Sequence, residues 1–240
     1  MSNLTTLLKS ETPAYETSLP ISGLKVSYRP FRVKEEKILL LAIEEGTELG
    51  MLNGTKRLIE SCCDEIEDAG NIPMAELEYL FLKIRSKSVS ETLTPSFTCP
   101  ITNEKINVKI PVEEIKLQKP KTNSNKINIT EKVGLTMRYP TINILLKNKI
   151  TNIDNMTTEE TMKLIVDCID EVWTEDEVFK REDTVTADMI EFVESIPSNK
   201  FETIMNFFAN VPKLTHTVKY KTKDKKERSI KLEGFDSFFE

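Results

Sequence analysis

The sequence holds a single histidine, and its four cysteines, Cys62, Cys63, Cys99 and Cys168, never form a C-x-x-C pair. A structural zinc site draws four such ligands from short motifs, so no metal site is expected. Cys99-Pro100 has the form of half a zinc knuckle, but Thr102 and Asn103 stand where its second cysteine would be. Disulfides are not expected either, and the thiols read as buried. The seven glycines form neither a G-x-x-x-x-G-K-S/T nor a G-x-G-x-x-G pattern, which removes the common nucleotide-binding loops. No cofactor is expected. No stretch approaches the roughly 20 apolar residues of a membrane helix, so stable membrane insertion is excluded. The opening residues lack a cationic head followed by an apolar run, so no secretory signal is expected. A net charge of -6 speaks against nucleic acid as the main partner, because phosphate binding relies on concentrated Lys and Arg.

What remains is a chain of 240 residues, 39% hydrophobic and 30% charged, long enough to bury a sizeable core. Its charge is uneven, acidic over 171–182 and basic over 213–231. Residues 1–13 read as a flexible N-terminal arm. Alternating residues at 15–19 and 24–28, around the Pro20–Gly23 turn, predict a β-hairpin. Three amphipathic helices follow. The first covers 33–45, with Ile38, Leu41 and Ala42 facing inward and Gly46 as its stop; the others cover 47–68 and 74–87. A second hairpin spans 96–110, 118–130 is a polar linker, and 133–139 is a strand. Residues 140–147 are a short helix or an extended piece.

Thr157-Thr-Glu-Glu160 is a capping box opening a helix through Met162, Ile165, Val166, Ile169 and Trp173. Helices at 187–195 and 199–208 and a final hairpin at 215–232 complete the chain. The fold class is therefore α+β, with an N-terminal hairpin and helical units each followed by a β-hairpin. The first unit is 14–117 and the second 131–240. The hairpins at 97–110 and 218–232 resemble each other, which suggests an old internal duplication.

Residues able to do chemistry are sparse. The carboxylate pairs Glu35-Glu36, Glu44-Glu45 and Glu159-Glu160 suit solvated helix faces and helix starts. No nucleophile or cofactor motif accompanies them, and His216 stands alone in a strand. The Lys223–Arg228 cluster reads as a solvated hairpin turn. Phe235, Phe238 and Phe239 are an unusual ending; they pack on the protein's own core or insert into a partner. No catalytic residue is assigned, so the chain is not expected to be an enzyme.

One segment is more specific, Leu19-Pro-Ile-Ser-Gly-Leu-Lys-Val-Ser-Tyr-Arg-Pro-Phe-Arg-Val-Lys-Glu-Glu-Lys-Ile-Leu-Leu-Leu-Ala42. It resembles the N-terminal signature of the baseplate protein family of T-even-type contractile-tailed phages. There "LP-x-x-G", a strand, "RPF-x-VKEEK" and an apolar helix occur together. The family's cysteine pairs in the hairpins are not matched here. The resemblance implies a baseplate hub subunit or hub-assembly factor in virion morphogenesis. Its partners would be other baseplate hub or tail proteins, met in the host cytoplasm during assembly and in the virion baseplate. A transient tail-assembly chaperone absent from the mature virion is the alternative; a small accessory enzyme is a remote one. Within the signature, Arg32, Lys34, Glu35 and Glu36 are the candidate partner-binding residues, together with Phe235, Phe238 and Phe239. Phe31 and Ile38 are expected to serve the core.

Overall fold

The computed structural model describes residues 12–119, 124–150 and 156–239. These residues form seven α-helices and several small antiparallel sheets, an α+β fold that includes the expected N-terminal hairpin. Most of the expected arm, residues 1–11, lies outside the described residues, as do 120–123 of the expected linker.

Strands β1 (Tyr15–Ser18) and β2 (Lys25–Tyr28) pair with Tyr15 opposite Tyr28, whose rings stack at 5.8 Å. Helix α1 (Val33–Glu45) stops at Gly46, whose φ of 67° is the left-handed conformation that glycine adopts without strain. Helix α2 (Glu48–Cys62) starts at Thr47, whose hydroxyl accepts from the Gly50 N–H. It ends six residues short of the expected 68. The Arg29 backbone N–H donates to the Cys62 carbonyl and its guanidinium donates to the Ser61 carbonyl. Carbonyls at the helix end thus find partners on the hairpin, and the chain leaves in extended conformation at Cys63. Helix α3 (Met74–Ser88) follows Pro73, its cap residue, which stands outside the helix at φ -50° and ψ 133°.

Two short pairs come next: β3 (Thr92–Leu93) with β6 (Ile110–Pro111), and β4 (Ser96–Thr98) with β5 (Lys105–Asn107). Strands β7 (Lys116–Gln118) and β8 (Lys126–Asn128) follow, so the stretch read as a linker supplies ladder partners. After β9 (Gly134–Met137) and α4 (Ile142–Asn148), Thr157 and Glu160 form the expected capping box at the start of α5 (Thr158–Cys168).

The expected continuation of that helix to Trp173 is corrected. Ile169–Trp173 is strand β10, held between β9 and β11 (Val178–Lys180). Gly134 on β9 leaves the space that the Trp173 ring fills, since a Cβ there would lie 2.1 Å from it. Helices α6 (Thr186–Glu194) and α7 (Ser198–Ala209) lead to β12 (Lys213–Lys221) and β13 (Glu227–Glu233). The sheets run β11-β10-β9-β8 and β13-β12-β7.

Packing crosses the segment 118–130. β12 pairs with β7, and one apolar cluster joins Leu82, Leu93 and Ile110 to Leu214, Leu232 and Phe238. A second cluster joins the first hairpin to α2 and α3, and a third fills the space between the four-stranded sheet and α5 to α7. The two similar hairpins meet. Phe97 stands edge-on to Tyr220 at 5.1 Å, the Tyr220 hydroxyl donates to Cys99 Sγ at 3.3 Å, and the Lys223 N–H donates to Glu104 Oε2 at 3.1 Å.

Candidate functional site

The signature segment is built around two buried carboxylates. The first belongs to Glu76 on α3, which is fully buried. Its Oε1 accepts from the backbone N–H of Ile21 and, at 2.8 Å, of Ser22. These donors lie in the Leu19–Leu24 turn, closed by Gly23 at φ 72° and by the Gly23 N–H to Leu19 carbonyl bond of 2.9 Å. The "LP-x-x-G" motif therefore presents two amides to a carboxylate more than 50 residues away in the chain.

The second carboxylate is Glu35, also fully buried. It accepts from Arg29 Nη2 at 2.9 Å, from the Arg32 N–H at 2.8 Å and from Lys34 Nζ at 3.1 Å. Burial pushes its carboxyl pKa up, but these bonds together outweigh burial and hold it below the usual glutamate range. Arg32 occupies the cap position of α1 without a side-chain acceptor, so Glu35, reaching back from the first turn, satisfies the cap amide. The Phe31 N–H donates to Ser88 Oγ at 2.9 Å, which fixes the loop to the end of α3.

This geometry sorts the four charged signature residues. Glu35, expected on a docking face, lies inside: its three donors and complete burial leave it nothing to offer a partner. Arg32 is half-buried and donates to Thr12 Oγ1 at 2.6 Å. Lys34 and Glu36 are exposed. Phe31 packs on the core cluster as expected, and Ile38 is half-buried.

Leu41, expected inward, points to solvent, and the outward side of α1 is unusually apolar. Val33 is 80% exposed, Leu40 54%, Leu41 52% and Ile43 60%. Only Glu35 and Ala42 of this helix are buried. Ala42 faces Gly54 of α2, where a Cβ would come within 2.8 Å of the Ala42 methyl. Two small residues thus let α1 lie close on α2 along a narrow stripe, which leaves the rest of the helix open. The run Ile38 to Ile43 was the signal in the sequence: it is apolar around more than one face, more than a surface helix buries on its own core.

The C-terminal aromatics divide. Phe238 is buried in the cluster with Leu214 and Leu232. Phe235 and Phe239 stand 5.6 Å and 6.5 Å from the Phe81 ring, and the Arg85 guanidinium lies 5.3 Å from Phe239. Phe239 remains 40% exposed, the outermost of the three.

An open polar cleft of about 630 Å³ lies beside β10 and β11, lined by Arg138, Lys147, Asp167, Lys180 and Arg181 among others. Asp167 at its floor accepts from Lys147 at 2.8 Å, Asn148 at 2.8 Å and Arg181 at 2.9 Å. Burial works to raise its pKa, and those bonds prevail and lower it. A carboxylate so engaged is a structural anchor, not a free base. Burial pushes the thiols of Cys62 to about 11 and of Cys63 and Cys168 to about 12, which keeps them protonated and unreactive. His216 faces Glu114, with Nε2 3.7 Å from Oε2. Among the described residues, no group of three or more His, Cys, Asp or Glu is placed to hold a metal ion. No helix among them is long and apolar enough to cross a membrane.

The family model described as T4 bacteriophage base plate protein matches residues 12–240. No curated protein and no solved structure matches.

Proposed function

The chain belongs to the T4 bacteriophage base plate protein family, and from that premise we propose that it is a baseplate hub subunit or hub-assembly factor. It acts by binding neighbouring tail proteins and carries out no catalysis. The observation that supports this reading is the open apolar side of α1, with Val33, Leu40, Leu41 and Ile43 all exposed on a helix whose start is clamped by Glu35. Contiguous exposed apolar surface rimmed by charge is characteristic of protein interaction sites. Lys34 and Glu36 stand at its rim and serve orientation and partner choice more than affinity. Phe239 offers a second, smaller apolar contact at the other end of the chain.

The host cytoplasm is the place of assembly under this reading, and the baseplate the destination. A Leu41→Asp variant should fold, because the side chain is exposed, and should lose co-purification with other baseplate proteins from infected cells. Retention of every such protein, and of a tagged second copy of this chain, by the folded variant would refute the docking role of α1. Mass spectrometry of purified virions separates a permanent hub component from a chaperone that departs before maturation.

A further inference from the structure

The open side of α1 carries charge in a self-complementary order. Val33, Lys37, Leu40 and Glu44 recur at spacings of four, three and four, so they share one side of the helix. All four are exposed, and Leu41 and Ile43 flank them. Lys34 and Lys37, with the exposed Glu36 between them, lie in the first half of the helix; Glu44 and Glu45 lie in its last turn. That last turn holds no basic residue. Negative charge there opposes the helix dipole, which favours cations at a C-terminus. Neither Lys37 nor Glu44 forms an ion pair among the described residues.

We propose that α1 packs antiparallel against α1 of a second copy of this chain, across a two-fold axis passing between Leu40 and Leu41. This rests on the reading of α1 as a docking surface and names its occupant. With the axis there, Lys37 and Glu44 each lie about 5 Å along the helix from it, on opposite sides, at 1.5 Å rise per residue. Lys37 of each copy therefore meets Glu44 of the other, and both pairs form at once. Leu40 and Leu41 meet at the axis, and Ile43 closes the flank. The cations of one copy also reach the acidic last turn of the other, which supplies the charge that the dipole favours. A two-fold contact of this kind uses the same patch on both copies, as most soluble dimers do.

The test uses the full chain and its charge variants Lys37→Glu and Glu44→Lys in sedimentation equilibrium. A small helix-pair interface calls for concentrations from about 1 to 100 µM. The wild type should dimerise. Each single variant sets like charges opposite each other twice and should weaken dimerisation about tenfold or more. An equimolar mixture of the two variants restores opposite charges across the axis, as does the double variant, and both should recover the dimer. A monomeric wild type across the whole range overturns the proposal and leaves α1 to another baseplate chain. So does a dimer indifferent to both single variants, or weakened variants that fail to recover on mixing. The measurement contains no other baseplate protein, so its failure is distinguishable from failure of the docking reading, which the Leu41→Asp capture experiment addresses.

Discussion

Replacing Glu35 by Ala tests the architecture of the signature most directly. The substitution removes the acceptor for the Arg32 N–H and the buried anion facing Arg29 Nη2. Arg29 would keep the carbonyls of Pro30 and Ser61 but lose its counter-charge. Breaking a buried charge pair by removing one partner costs about 3–5 kcal/mol. The Arg29 side chain is 19% exposed and water relieves part of its desolvation, so the lower end of that range, about 3 kcal/mol, applies here. For a chain of this size each kcal/mol moves Tm by about 2–4 °C, which gives a fall of about 6–12 °C in a circular-dichroism melt. Glu36→Ala is the control, since an exposed change shifts stability within about 0.5 kcal/mol. The pH dependence has a definite sign. The folded pKa of Glu35 lies below its ordinary value of 4.5, so its contribution is full above that value and is lost as pH falls through the folded one. Wild type and Glu35→Ala should therefore differ most near neutrality and converge in acid. A Glu35→Ala melt within 2 °C of the Glu36→Ala melt, a margin of about 1 kcal/mol or less, would refute the clamp.

Glu76→Ala should cost about 1–3 kcal/mol for the two lost amide–carboxylate hydrogen bonds, and hydrogen exchange at Ile21 and Ser22 should accelerate while the centre of α3 stays protected. Phe238→Ala should destabilise by about 3–5 kcal/mol in urea melts, while Phe239→Ala has a much smaller effect; equal losses would contradict the different burial of the two rings. Glu78 on α3 is half-buried, and desolvation, with Asp236 adding to it, raises its carboxyl to about 8. A raised folded pKa means that the folded state holds the proton longer, so stability should fall as pH rises from about 4.5 toward 8. Glu78→Gln should flatten that decline in Tm measured across pH 5 to 9, and an unchanged slope would remove Glu78 as its cause.

The legible parts of this protein are those with local causes. Gly46 stops α1 because a left-handed residue is needed there and only neighbouring amides and carbonyls are involved. Thr157 and Glu160 cap α5 from within one turn, and alternation about a short turn suffices for the first hairpin. The α+β class, most helix positions and the family likeness follow from signals of this range. The exceptions have distant causes. Cys62 ends α2 where Arg29, in the loop after β2, takes the last carbonyls. Ile169–Trp173 continues a helical apolar period but has strand partners on both sides, and ladder hydrogen bonds with β9 and β11 decide its conformation. Glu35 and Glu36 are adjacent glutamates of equal helix preference. The N3 position puts Glu35 in reach of the Arg32 amide, and Arg29, from outside the helix, gives it the counter-charge that lets it lie in the interior, while Glu36 stays in water. The same holds for α1 as a surface: the sequence sets an apolar run from Ile38 to Ile43, but the close approach of Ala42 to Gly54 selects which side is covered and turns Leu40, Leu41 and Ile43 outward.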